Sequence, residues 1–208
     1  MDIYEALNQR RTIRDLQDKE IPMSIIYKIL EAGLKAPSND HMRSWEFVVI
    51  TDPEEKAKVI QKIAKKISKK QAEQFIDANQ MTDPCQRTMY LDGIPKQYSM
   101  LLHSGCLILP FFKQESPLLK PKSLSSLNGF ASIWCCIENM FLAAAAEGLG
   151  AAFRIPFEKE TKYLKDIITY PDDYVMPCYI SLGYPAEDAV INEQHHYDVK
   201  DKIHINQW

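Results

Sequence analysis

The strongest hydrophobic pattern in the chain lies at 130–146, where only Ser132, Glu138 and Asn139 interrupt an apolar run. Apolar residues fall on every face at helical spacing, which predicts a helix with no solvated side. At about 1.5 Å per residue it is long enough to cross a small domain. Gly148 and Gly150 follow and supply the backbone freedom that ends such a helix. A membrane span is the rival reading. It is disfavoured because the run falls short of about 20 clean residues and carries Glu138 and Asn139 near its centre. A helix covered all round needs more than one layer around it, and a second subunit could supply part of that cover.

The remaining elements can be placed around this helix. Asp2 and Glu5 form a capping-box pattern ahead of a first helix that buries Ile3, Ala6 and Leu7. Ile21-Pro22 opens a second helix, with Ile25, Ile29 and Leu30 on one face. Trp45 to Ile50 alternates and stops at Asp52-Pro53, as a strand does. Two amphipathic segments, 56–78 and about 87–102, lead to a short apolar run at 106–112 that reads as a buried strand. The stretch 113–128, with Pro117, Pro121 and several serines, reads as a loop. After Gly150, the sequence Ala-Ala-Phe-Arg-Ile-Pro156 leads into a short helix ending near Thr169. A strand at 176–182 is followed by a turn at Gly183-Tyr184-Pro185. The tail, about 186–208, is too poor in core residues to fold alone and is expected to lie across something, a partner subunit included.

Composition narrows the class. A chain of 208 residues, 46% hydrophobic and 25% charged, fits one globular domain or a compact oligomer subunit. A net charge of -3 and a pI near 6.0 argue against nucleic acid or an anionic membrane as partner. The basic run 56–70 has Val59, Ile60, Ile63 and Ile67 between its charges, and reads as the solvated face of an amphipathic helix more readily than as an anion groove. Met1 leads straight into helix with no signal or transit pattern. The cysteines number five and show no CxxC, which fits reduced thiols in a cytoplasmic protein.

Two stretches carry candidate chemistry. Arg10, Arg11 and Arg14 surround Thr12 in a compact donor cluster whose guanidinium forks suit phosphate oxygens. The same charges could instead complement the dipole of their own helix. The stretch 36–45, from Ala36 to Trp45, is polar, stiffened by Pro37 and dense in hydrogen-bonding groups. Lying between a buried helix and a buried strand, it could hold a planar polar ligand or be a satisfied turn. No GxGxxG, P-loop or GxSxG is present. His195 and His196 have no third ligand at a useful spacing, so no metal site is expected.

The run RRTIR, then APSNDHMRSWEFVVITD, then a buried helix ending AAAAEGLG, then ISLGYPA, resembles the nitroreductase family over nearly the whole chain. The closing His204-Ile205-Asn206-Gln207-Trp208 is similar to the tails of that family. The resemblance implies an α+β, three-layer fold with an antiparallel-dominated sheet flanked by helices, in a homodimer that holds FMN at its interface. Such enzymes take electrons from NAD(P)H and pass them to nitroaromatics, quinones or similar acceptors by a ping-pong route. Carried over, Arg10, Thr12 and Arg14 would meet the phosphate, with Arg11 in the same motif. Pro37, Ser38 and Asn39 would lie against the ring from the other subunit, and Phe153, Arg154 and Ile155 would line the flavin. Arg154 or Arg43 could place a guanidinium near the N1–C2=O edge. His41, Arg43 and Ser44 stand where the family commonly has Asn, Gln and Pro. His41 could be donor, acceptor or cation there, or a loop histidine bonded to backbone. Arg43 could instead pair with Asp40 or Glu46. The family often has an arginine near the C-terminal end of the site, where this chain reads Gln194-His195-His196-Tyr197-Asp198. A flavin-binding protein without general reductase activity is the alternative.

Overall fold

The computed structural model describes residues 1–114, 116–194 and 196–208. Its helices are α1 (Ile3–Gln9), α2 (Met23–Leu34), α3 (Pro53–Val59), α4 (Lys69–Ala78), α5 (Pro84–Gly93), α6 (Ser99–Leu102), α7 (Asn128–Ala146) and α8 (Glu158–Ile168). Its strands are β1 (Trp45–Ile50), β2 (Cys106–Lys113), β3 (Gly150–Arg154), β4 (Tyr174–Val175) and β5 (Tyr179–Gly183). The sheet runs β1-β2-β5-β3 with every neighbouring pair antiparallel, and β4 adds to the far end of β2.

The period of two in β2 divides the molecule into three layers. Cys106, Ile108 and Phe112 face one core with α2 and α7, while Leu107, Leu109 and Phe111 face a second core with residues of α3, α6 and α8. A strand buried on both faces reads as a continuous apolar run, which is how 106–112 stood out in the sequence. Gly33 lets α2 approach α7 closely. A Cβ there would meet Met140 Cγ at 2.7 Å and Cys136 Sγ at 3.0 Å.

Several expectations are corrected. The segment 56–78 is not one helix. Asp52 caps α3 by accepting from Glu54 N–H and Glu55 N–H, and Ser68 starts α4 with a Ser-x-x-Gln capping box closed by Gln71. Lys56 is not on a solvated face. It is 2% exposed and donates its ammonium to the carbonyl of Ser104. Burial lowers its pKa, opposed by Asp18, Cys106 and Asp52. The segment 87–102 breaks after Gly93, next to Pro95, which cannot donate an N–H. Gly150–Arg154, to which the sequence assigns no element, is a full strand paired to β5.

Within one chain the central helix is not covered all round. Ile133, Ile137, Met140, Phe141 and Ala144 are buried, whereas Ala131, Cys135, Glu138 and Ala146 are exposed along one stripe. The stretch Leu124–Ala146 is long and apolar enough to cross a membrane by length and composition. Here its buried side packs on α2 and β2 as a core helix does. Cys136 is buried with its thiol pushed up to about 12 by desolvation, while its neighbour Cys135 is exposed. All five cysteines are free.

Replacing Gly33 by Val should overpack the α2–α7 contact and destabilise the protein by about 1–3 kcal/mol. Chemical denaturation checks it. An unchanged midpoint would show that α7 yields freely at this contact.

Candidate functional site

The two motifs that lie far apart in sequence meet at the edge of the sheet. Residues 12–16 run beside β3, with Thr12 in a parallel bridge to Ala151 and Ile13 N–H donating to the Ala151 carbonyl at 3.1 Å. This covers an edge that would otherwise be open. A cavity lies on each side of the seam. The smaller, about 150 Å³, is lined by Arg10, Arg11, Ile13, Gly148, Leu149 and Ala151, among others. The larger is a cleft of about 620 Å³ walled by Thr12, Arg14 and Phe153–Ile155 on one side and by α4 and α5 on the other. That volume is ordinary for a small-molecule or cofactor site.

The arginines are thereby divided. Arg10 Nε lies 3.3 Å from Glu138 Oε1 of α7. Arg11 donates to the carbonyls of Asn8 (2.6 Å) and Arg10 (2.8 Å) and so caps the C-terminus of α1, the helix-dipole role weighed above. Arg14 lines the large cleft with Thr12, and its NH1 sits 3.7 Å from Asp92 Oδ2. Burial lowers the Arg14 pKa, opposed by Asp92 and Asp15. Arg10 and Arg14 do not line one cavity, so a single phosphate clasped by both does not follow from this geometry.

Phe153, Arg154 and Ile155 all line the cleft. Phe153 meets Trp134 edge-on at 5.2 Å and stacks near Phe141 at 6.1 Å, so an aromatic shelf joins β3 to α7. Arg154 lines the cleft but carries no free charge there. Its NH2 donates to Glu160 Oε1 at 2.8 Å and its NH1 to Glu160 Oε2, in a pair with side chains 8% and 1% exposed. Glu160 also accepts from Phe157 N–H. Tyr179 is buried beside this pair, and burial raises its phenol pKa, with Glu160 adding to the effect. Of the two arginines that line the cleft, Arg154 is therefore bound up in a buried pair, and Arg14 makes the looser one with Asp92.

Pro37, Ser38, Asn39, His41 and Arg43 line neither of these cavities. Their loop is tied to the start of α7. Asn39 N–H donates to Ser132 Oγ at 3.1 Å, Asn128 Nδ2 donates to Asn39 Oδ1 at 3.0 Å, and Arg43 N–H donates to Ser38 Oγ at 3.1 Å. Asp40, His41 and Arg43 have φ of 49°, 52° and 48°. Such left-handed backbone is uncommon outside glycine and concentrates at ligand-binding sites. Neither Asp40 nor Glu46 pairs with Arg43, whose guanidinium is in no ion pair among the described residues. The His41 ring likewise makes no backbone hydrogen bond among them. At the other end, Gln194 Nε2 donates to the Arg10 carbonyl at 3.2 Å, so the tail does pass the arginine motif. His195 lies outside the described residues, and His196 is exposed. No cluster of three or more metal-binding side chains occurs among the described residues.

The family model for the nitroreductase family matches residues 7–184. The chain belongs to the nitroreductase family. A protein of Methanothermobacter thermautotrophicus, provisionally named NADH dehydrogenase/NAD(P)H nitroreductase, is 27% identical over 100% of this chain and 88% of its own. The iodotyrosine deiodinase of Haliscomenobacter hydrossis is also 27% identical, over 91% of this chain and 82% of its own. The solved structure of oxidized iodotyrosine deiodinase bound to FMN and 3-iodo-L-tyrosine superposes with a TM-score of 0.74 at 15% identity, covering 100% of both chains. The fold is thus the α+β nitroreductase fold.

Sequence reasoning missed the far wall of the cleft. Gln71, Phe75, Tyr90, Gly93 and Gln97 line it, yet no motif marks them. A glycine inside an amphipathic segment of a chain with only seven glycines was the one available signal.

Replacing Glu160 by Ala should leave the Arg154 guanidinium buried and unpaired, at a cost of about 3–5 kcal/mol. Urea denaturation tests this. A loss below about 1 kcal/mol, the scale of a surface ion pair, would mean that water reaches Arg154.

Proposed function

We propose that this nitroreductase-family chain is an FMN-dependent oxidoreductase that takes electrons from NAD(P)H and passes them to small planar acceptors, nitroaromatics or quinones, by a ping-pong route. The observation that carries this reading is the seam at 12–16. It sets a phosphate-suited donor group beside an aromatic-walled cleft large enough for a tricyclic ring. The donor set fits the cofactor. Arg10 would hold the phosphate from the smaller cavity, where Gly148 (φ 74°) leaves open space, with Thr12 reaching it from the cleft side of the seam. Phe153, Ile155 and Arg14 would hold the ring. The flavin would supply the reversible two-electron chemistry, so the chain needs to bind, orient and tune it. Arg14, offset by Asp92 at 3.7 Å, would present its guanidinium to the ring and favour the redox state or acceptor with more negative charge at that edge. Phe75, Tyr90 and Ile94 give the cleft's outer side an apolar lining.

The iodotyrosine deiodinase likeness raises a second substrate class, an amino acid. The lining of the cleft disfavours it. Among the described residues its one carboxylate, Glu160, is already committed to Arg154 and Phe157 N–H, which leaves none of them free to take an α-ammonium group. Neutral or anionic acceptors suit the Arg14 and Lys159 side of the cleft better.

We further propose a homodimer in a cytoplasmic setting, for which the free thiols are suited. The exposed stripe of α7 and the tail 186–208, with Ile205 78% and Trp208 100% exposed, would be covered by the partner. The 37–43 loop would then reach the partner's flavin, with Arg43 and His41 at the acceptor side. An interface of this kind would bury well over about 2,000 Å².

Protein purified with FMN should be yellow and bleach within seconds under anaerobic NADH or NADPH, and then recover colour on addition of a quinone or nitroaromatic. Yellow protein that never bleaches would make it a flavin carrier instead. Colourless protein that takes up no FMN would contradict both readings. Sedimentation velocity at micromolar concentration should show a dimer in which Cys135 resists alkylation. A stable monomer with Cys135 freely labelled would contradict the assembly. Arg10→Ala should weaken FMN binding roughly ten- to a hundredfold, as loss of a charge-assisted contact does, while leaving riboflavin binding unchanged.

A further inference from the structure

α4 and α5 stand apart from the rest of the fold. No side chain of either helix belongs to the two buried clusters that flank the sheet. They pack on one another, with Phe75 stacked on Tyr90 at 6.3 Å, and form the outer wall of the large cleft. Where this wall meets the body, the contact is polar. Lys96, three residues past the end of α5, donates to Asp15 Oδ2 at 2.6 Å and to Asp92 Oδ1. Asp92 Oδ2 faces Arg14 NH1 at 3.7 Å. Two cations and two carboxylates thus balance, with side chains between 16% and 27% exposed.

Gly93 lies within this network and ends α5. Its φ is not in the left-handed region, so the backbone does not require glycine there. Alanine is the better helix former. What glycine provides is room. A Cβ at this position would stand 3.0 Å from Arg14 Cζ, 3.1 Å from Nε and 3.2 Å from NH2. The guanidinium therefore lies directly on the Gly93 backbone, and both residues line the cleft. Gln97 Nε2 donates to the Gly93 carbonyl at 3.0 Å and holds the turn that carries Lys96.

We infer that Gly93, Asp92 and Lys96 form a seat that fixes the Arg14 guanidinium in the cleft wall, and that all three are positioning residues for the cofactor-binding side of the site. This rests on the reading that the cleft holds the flavin ring. The seat acts only through Arg14. Asp92 sets the direction of the guanidinium, Lys96 balances the second carboxylate and ties α5 to Asp15, and Gly93 sets the depth. A methyl group at 93 would push the guanidinium away by a few tenths of an ångström. It would leave the helix intact.

The test is a double-mutant cycle on the full-length FMN-loaded protein. Gly93→Ala and Asp92→Asn are each made in the parent and in Arg14→Ala. FMN dissociation constants, the flavin midpoint potential and the melting temperature of the FMN-free protein are measured. Arg14→Ala should weaken FMN binding on the order of tenfold or more, the loss expected for a charge-assisted contact. Gly93→Ala should weaken binding and move the midpoint in the same direction as Arg14→Ala, while the FMN-free protein melts no lower than the parent. In the Arg14→Ala background neither second substitution should change binding or potential further. Equal effects in both backgrounds, or none in the parent, would overturn the seat. If Arg14→Ala itself changes neither quantity, the placement of the flavin ring in this cleft fails and the seat with it. If Gly93→Ala does not fold, the Asp92→Asn arm of the cycle decides by the same criteria.

Discussion

The structure depends on one narrow contact, the docking of residues 12–16 along β3 and β5. It is held by Ile13 N–H to the Ala151 carbonyl, Gln17 N–H to the Tyr184 carbonyl at 2.8 Å and Ala186 N–H to the Asp15 carbonyl at 2.9 Å. Two glycines make the approach possible. A Cβ on Gly150 would meet Ile13 Cβ at 2.9 Å, and one on Gly183 would meet Leu16 Cβ at 3.1 Å. The first helix, the strand after the central helix and the start of the tail are therefore fixed relative to one another by backbone. The arginines gain their positions from that seam. Without it Arg14 would have no cleft to line, and Asp15 could not tie both Lys96 and the Val190 N–H.

Charge is then assigned by neighbourhood. Four arginines stand near the candidate site, and each has a different task. Arg11 closes the end of α1 and Arg154 is consumed by its pair with Glu160, so both are structural. Arg10 lies at a partly exposed position opposite Glu138, where an incoming phosphate can compete for it. Arg14 lies in a partly desolvated place, its charge balanced within the network of Asp92, Lys96 and Asp15. A buried pair such as Arg154–Glu160 adds little net stability over an apolar pair. Its effect is to hold the start of α8 against the end of β3 and keep that cleft wall rigid.

Much of this was legible in the residues. The alternation of Trp45–Ile50, the doubly buried 106–112 run and the Asp2/Glu5 box each name their own structure, because the physics that shapes them is local. The family motifs imply that RRTIR and Phe153–Ile155 serve one site, and the seam brings the two stretches together. Other features depend on tertiary neighbours and were not legible. An apolar helix does not state which of its faces a single chain leaves open. Lys56 reads as a surface lysine until the Ser104 carbonyl is found beneath it. Arg154 reads as a free cation because Glu160 follows only six residues later on another element. The α4–α5 wall has no motif, since its role is carried by shape and by one missing methyl group at Gly93.

In the proposed function the seam at 12–16 splits the cofactor site, with phosphate at the Arg10–Thr12 end and ring in the cleft of Arg14 and Phe153. A crystal structure of the protein grown with FMN tests it most directly. Density is expected for the phosphate beside Arg10 and Thr12 and for the ring against Phe153, with the Arg14 guanidinium at the ring's edge. A ring bound outside this cleft, or a phosphate held by Arg14 instead of Arg10, would contradict it.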